Sequence, residues 1–169
     1  MSDDAAQLQT AIEGAVLDTD DFRGQETVVV DPEKVLDVLR HLRDDPAMAY
    51  NMLLDVTSVD YSQWPEPVPG RFAVVYHLWS MARKKRIRVK AFLPEDRPRI
   101  DSAAGLFPLA DWGEREVYDL MGIRFDGHPD LRRILLPETY EGHPLRKEYP
   151  LEGRGERDNF EKYDPDEEV

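Results

Sequence analysis

Three strand-like runs follow one another between Met52 and Leu93 with no helix between them, and this succession constrains the fold more than any other part of the chain. Met52 to Tyr61 is the first run, and the loop Gln63 to Gly70, which holds three prolines, ends it. In Arg71 to Ser80, Phe72, Val74, Tyr76 and Leu78 face one way, and Ala73, Val75 and Trp79 the other. Apolar side chains on both faces mark a central strand. In Arg86 to Leu93, Ile87, Val89, Ala91 and Leu93 alternate with Arg86, Arg88 and Lys90, the pattern of a half-buried strand. The short link Met81 to Lys85 makes the last two runs a hairpin.

Helical patterns flank these runs. Leu8, Ile12, Ala15 and Val16 stand at helical spacing within residues 4–17, which predicts a first amphipathic helix. Glu26 to Val30, with three consecutive valines, reads as a short strand. Asp31-Pro32 then opens a second helix that carries Val35, Leu39 and Leu42 and stops at Asp45-Pro46. After Pro94 a helical segment is predicted around Ile100 to Leu106, and a better helix from about Trp112 to Met121, closed by Gly122. The expected class is α+β: a mainly antiparallel or mixed sheet with flanking helices, followed by an extended polar C-terminal segment. Residues 1–125 form the α+β domain and 126–169 an extended interaction segment with an acidic tail. Leu151 to Val169 is almost wholly polar and is expected to be mobile in isolation.

Charge and composition narrow the function. The chain carries 35 Asp+Glu against 22 Lys+Arg, a net charge of −13, which argues against nucleic acid because phosphate neutralisation needs a basic footprint. It has no cysteine, so it offers neither a thiolate nucleophile nor cysteinyl ligands for an iron–sulfur cluster. The acidic start Met1-Ser2-Asp3-Asp4 lacks the apolar region of a signal peptide, and no run approaches the roughly 18 to 20 apolar residues of a membrane span. A soluble, intracellular chain is expected, with membrane association only through partners.

The helix near 112–121 holds the sharpest anomaly. Trp112, Glu116 and Leu120 share one ridge at i, i+4 and i+8, which sets a carboxylate between two large apolar side chains. Three readings stand: an internal ion pair with Arg132 or Arg133, a contact with a partner protein, or a proton-transfer role. Glu114 completes a capping box if Asp111 is the N-cap, and Asp119 lies beside the ridge. His128 and His143, with Asp126 and Asp130, lack the short regular spacing of metal ligands and read as satisfied loop histidines. Arg83, Lys84, Lys85, Arg86, Arg88 and Lys90 form a basic island that reads as a solvated sheet face, with phosphate or lipid headgroups as the alternative. Gly153-Arg154-Gly155 follows no strand and is no dinucleotide site. No catalytic residue, cofactor ligand or metal ligand is assigned.

Beyond this helix the chain resembles a known family. The run from Glu114-Arg115-Glu116 through Asp119, Gly122, Asp126-Gly127-His128-Pro129-Asp130 and Arg132-Arg133 to Leu135 is similar to the signature of the complex I 30-kDa subunit family. Gly142-His143-Pro144-Leu145-Arg146-Lys147-Glu148-Tyr149-Pro150 resembles its second block, and Asp55 to Tyr61 is a weaker familial run. The resemblance spans about residues 25–150, with Met121 where many members carry an aromatic residue. It implies a cofactor-free structural subunit of NADH:quinone oxidoreductase, in the hydrophilic arm and packed against the 49-kDa-type (D-type) subunit near the quinone site. FMN, iron–sulfur clusters, NADH and quinone would sit elsewhere in the assembled complex, and the chain would lie peripherally at the cytoplasmic face of a prokaryotic membrane. The same role in a photosynthetic, deazaflavin-linked or membrane-hydrogenase relative is the alternative, beside a free-standing binding module. The motif residues Glu114, Arg115, Glu116, Asp119, Asp126, His128, Asp130, Arg132, Arg133, His143, Arg146 and Lys147 are the candidate interface. In the simplest arrangement the helix buries its Glu116 ridge and the Gly-His-Pro segment crosses onto the partner.

Overall fold

The structure, a computed structural model, describes residues 3–155. Most of the polar tail, residues 156–169, lies outside the described residues, so the expectation of its mobility does too. The three central runs form β3 (Met52–Asp60), β4 (Phe72–Ser80) and β5 (Lys85–Leu93), joined antiparallel. With β1 (Val16–Phe22) and β2 (Gln25–Val30) they make a five-stranded sheet of order β1-β2-β5-β4-β3, in which only β2 and β5 pair parallel. The class is therefore α+β with a mixed sheet. One face buries Val28, Val30, Ile87, Val89, Ala91, Phe72, Val74, Tyr76 and Leu78 in a single core. The same core takes in Ala5 and Leu8 of α1 (Asp3–Ala11) and Val35, Val38, Leu39 and Leu42 of α2 (Val35–Asp44). From α3 (Pro108–Met121) it takes Ala110, Val117 and Met121.

The other sheet face is covered by its own long side chains. Arg86 stacks over Trp79, and Lys90 donates to the Tyr61 hydroxyl at 3.0 Å while lying over the Tyr61 and Phe92 rings. The basic island is split between the two sides. Arg83 and Lys85 turn toward α1, where they hold the buried Asp4 carboxylate at 2.7 and 2.8 Å.

Three expected elements differ. The first helix ends at Ala11, and Ala15 and Val16 lead into β1 instead. Gly14, at φ +67°, breaks the helix, and β1 then runs back along β2 through Arg23-Gly24, both at positive φ, as a two-residue hairpin turn requires. The run 100–106 is not helical. Arg99–Asp101 forms β6, which pairs parallel with β7 (Arg124–Asp126) so that Ile100 and Phe125 are buried side by side in register. The last helix starts four residues before its predicted start, because Pro108 occupies the first-turn position where its missing N–H is harmless. Asp31 does cap as expected, accepting from Glu33 N at 3.0 Å, but the turn it opens is 3-10 over Pro32–Lys34 before α2 begins.

At nine residues α1 is too short to be stable alone, and Asp4 is its anchor. Burial would raise the Asp4 carboxyl, but Arg83, Lys85 and the Tyr50 hydroxyl hold it below the ordinary carboxylate value. Asp4→Ala should destabilise the chain by about 2 kcal/mol, since both cations keep some access to water. Urea unfolding with amide exchange checks this: exchange should quicken first in residues 5–11, and an unchanged midpoint would sever α1 from this anchor.

Candidate functional site along helix α3

The polar segment that follows β7 is laid along α3 as a strap and runs in the same direction as the helix. His128 Nδ1 accepts from Asp130 N at 3.0 Å, so Nε2 carries the proton and donates to Asp111 O at 3.1 Å. One turn on, Arg115 donates to the carbonyls of Arg132 and Arg133. Another turn on, the Asp119 carboxylate meets Arg133 at 2.7 Å and the N–H groups of Ile134, Leu135 and Leu136 at 3.0, 2.8 and 2.9 Å. The flank that takes the strap is thus Asp111, Arg115 and Asp119, at i, i+4 and i+8.

The second Gly-His-Pro block closes the end of the helix. The last carbonyls of an α-helix have no partner within it. Here His143 Nδ1 donates to Asp119 O at 3.0 Å, Leu145 N to Leu120 O at 3.1 Å, and Arg146 Nε to Met121 O at 2.7 Å. The basic groups also complement the negative end of the helix dipole. Gly122 carries the left-handed cap at φ +71°, and a Cβ there would collide with the His143 ring and come within 2.7 Å of Arg146 Nη2. The strap then reaches the sheet: Lys147 N donates to Asp60 at 2.9 Å, and Arg71, bound to Asp60 at 3.0 Å, also pairs with Glu148.

Electrostatics follow burial. Burial pushes the Asp119 carboxyl up, but the Leu136 N–H, the Arg133 guanidinium and the other two amides outweigh it and hold the group ionised below its usual range. Burial lowers His143, and Arg146 and Arg133 lower it further against the pull of the Asp119 carbonyl. Glu114 goes the other way. It is fully buried, accepts from Ser102 Oγ at 2.6 Å and Ala103 N at 2.7 Å, and is pushed up to about 7 by burial that these two bonds only partly offset.

Two expectations about the candidate residues are displaced, and the Gly-His-Pro segment folds back along α3 of its own chain instead of crossing away from it. Glu116 is exposed, and neither expected arginine pairs with it: Arg132 binds Asp130 at 2.8 Å and Arg133 binds Asp119. The buried ridge is one residue over from the predicted Trp112–Glu116–Leu120 ridge, and Trp112 faces outward at 61% exposed. Glu114 is not the third residue of a capping box, because the helix begins at Pro108 rather than after Asp111. Asp126 pairs with Arg99 at 2.6 Å across β6 and β7. His128 and His143 stand at opposite ends of α3, and no group of three or more potential metal ligands occurs among the described residues. Sequence reasoning missed Asp60, Arg71, Ser102 and Tyr50 as polar anchors; only the Asp55 to Tyr61 run hinted at one of them.

Fold and site together define a small α+β domain whose polar extension is folded back along its last helix. The family profile described as respiratory-chain NADH dehydrogenase, 30 Kd subunit, matches residues 28–155. The C-type subunit of NADH-quinone oxidoreductase from Geobacter sulfurreducens is 48% identical over 147 residues, 87% of this chain and 88% of that protein. Its counterpart in Citrifermentans bemidjiense is 52% identical over 148 residues, with 87% and 88% covered. Among solved structures, a trypsin-resistant fragment of Nqo5, residues 1–134, superposes with a TM-score of 0.63 at 39% identity, covering 68% of this chain and 89% of that one. A chain of the archaeal membrane-bound sulfane sulfur reductase shares the fold, with a TM-score of 0.72 over 97% of this chain and 96% of its own, at 23% identity. The chain belongs to the complex I 30-kDa subunit family, whose members include the C-type subunits of NADH-quinone oxidoreductase.

Glu114 generates a pH prediction. Its folded value of about 7 lies above the ordinary 4.5, so its contribution is fully present below pH 4.5 and is lost as pH rises through 7. The loss amounts to roughly 3 kcal/mol at most. Glu114→Gln keeps an acceptor for Ala103 N, turns its amide N–H toward Ser102 Oγ as the protonated carboxyl would its O–H, and has no charge to bury. Urea midpoints should therefore converge at pH 5 and separate at pH 8, with the variant more stable. Parallel pH profiles would show that Glu114 is ionised in the fold without penalty.

Proposed function

We propose that this chain is a cofactor-free structural subunit in the hydrophilic arm of a proton-translocating NADH:quinone oxidoreductase, packed against the 49-kDa-type (D-type) subunit near the quinone site. The observation that carries the reading is the family match over residues 28–155, which takes in the whole strap along α3. The chemistry of the motif supports it. The arginines, carboxylates and histidines of the two motif blocks are largely engaged in shaping a surface: Asp119 with Arg133, Arg115 with the strap carbonyls, His143 and Arg146 with the end of the helix. A rigid, polar-locked surface next to a helix is what a docking subunit requires, since ordering costs are met before the partner arrives.

Redox chemistry in this reading belongs to the neighbours. The sequence has no cysteine to ligate a cluster and no glycine-rich dinucleotide turn after a strand, so FMN, clusters and NADH are assigned to other subunits and quinone to the partner's side. No helix among the described residues is long and apolar enough to cross a membrane, and in this account the chain is held peripherally at the cytoplasmic face by its partners.

Affinity purification of the tagged chain from detergent-solubilised membranes tests the proposal. The 49-kDa-type subunit and the flavin- and cluster-bearing subunits should come with it in fixed ratio. The chain expressed alone should be colourless, with no visible absorbance on the order of one flavin or cluster per chain. Recovery of the tagged chain without the 49-kDa-type subunit, or a stoichiometric chromophore in the chain alone, would contradict the reading.

A further inference from the structure

The helix face opposite the sheet is divided in two. Its Asp111–Arg115–Asp119 flank is covered by the strap. The neighbouring stripe, Leu109, Trp112 and Glu116, is left uncovered, with Leu109 45% and Trp112 61% exposed, and it runs on to the half-buried Leu120. The strap extends this stripe at its C-terminal end. Leu135 is fixed through its N–H to the Asp119 carboxylate and Leu145 through its N–H to the Leu120 carbonyl, and their side chains are 61% and 54% exposed. One carboxylate therefore stands within an apolar surface held rigid by polar bonds beneath it. The adjacent arginine and the two expected to pair with it are committed elsewhere: Arg115 stacks on Trp112 and binds the strap, Arg132 binds Asp130, and Arg133 binds Asp119.

We propose that this stripe is the docking surface for an apolar patch of the neighbouring subunit that presents a guanidinium or ammonium group to Glu116. The inference rests on the assembly reading above and deepens it, naming the surface and the chemistry of what covers it. Charge decides between occupants. Closing an apolar surface over a carboxylate is unfavourable unless a cation arrives with it. A second copy of this chain, related by a two-fold axis, would bring Glu116 toward its own image. The chain's own residues 156–169 carry seven carboxylates against two cations and would add like charge. An anionic lipid surface would repel a chain of net charge −13 at this point. A cation-bearing apolar protein surface meets both demands, and an outward Trp with an exposed Leu one turn away is the kind of anchor around which such contacts concentrate.

The test uses the assembled complex in its own membranes. A photo-crosslinking residue replacing Trp112 should capture the 49-kDa-type subunit. Glu116→Arg should reduce incorporation of the chain on native gels at least tenfold, and Glu116→Gln and Trp112→Ala severalfold. Both free Glu116 variants should keep the wild-type urea midpoint, because Glu116 is exposed in the free chain, and Trp112→Ala should lower it by no more than the loss of the Arg115 stack. A carboxylate placed at the cross-linked cation of the partner should restore incorporation of Glu116→Arg and of no other variant. The proposal is overturned if Glu116→Arg assembles at the wild-type level, or if the probe captures a second copy or the chain's own tail. It is equally overturned if Glu116→Gln assembles normally but abolishes quinone reduction, which would make the carboxylate a proton-transfer group. In each of those cases the tagged wild-type chain still brings down the 49-kDa-type subunit, so the broader reading stands. Failure of that co-purification sinks both.

Discussion

One buried carboxylate, Asp119, fastens the strap that follows β7 to the rest of the domain. It lies at zero exposure and accepts from three consecutive backbone N–H groups and one guanidinium. Three amides converging on one anion normally form a binding site for a free phosphate or carboxylate. Here the chain supplies the anion itself, and the strap turns around it. Charge-assisted bonds of this kind are each worth about 1.5 to 3 kcal/mol. That is enough to order a segment whose apolar content could not.

The consequences run in both directions along the strap. Toward its start, Arg115 and His128 line it up with the helix. Toward its end, His143, Leu145 N and Arg146 satisfy the open carbonyls of α3, and Lys147 and Glu148 carry the contact on to Asp60 and Arg71 at the end of the β3–β4 hairpin. Helix α3 is itself seated on β3 through Gly113, where a Cβ would stand 3.0 Å from the Val56 Cβ. Sheet, helix and strap are therefore linked in one chain of close contacts. The strap needs no core of its own because its polar groups are satisfied by backbone groups of elements that have one.

What could be read from sequence follows from this division of labour. Alternation of apolar side chains revealed β3, β4 and β5, because hydrophobic burial on one or both faces decides those strands. β1 stayed hidden because Leu17, Asp18, Asp20 and Asp21 are solvated at an edge and leave no apolar pattern. Asp111 and Glu114 have the spacing of a capping box, but Pro108 starts the helix earlier and turns Glu114 into the core. Trp112, Glu116 and Leu120 look like a buried ridge by composition, yet polar bonding of the strap covers the ridge one residue away. Periodicity records which side chains leave water. It is silent about which carboxylate will accept three amides from residues 15, 16 and 17 positions downstream.

Amide hydrogen exchange at Ile134, Leu135 and Leu136, in the wild type and in Asp119→Asn, tests the central role of that carboxylate most directly. The substitution keeps the shape of the side chain and removes its charge. The account predicts that the three amides are protected in the wild type and lose protection by roughly thirtyfold in the variant, the equivalent of about 2 kcal/mol, with the amides of β4 and β5 unchanged. Exchange at residues 134–136 that is as slow in Asp119→Asn as in the wild type would contradict it, and would mean that something other than Asp119 holds the strap to the helix.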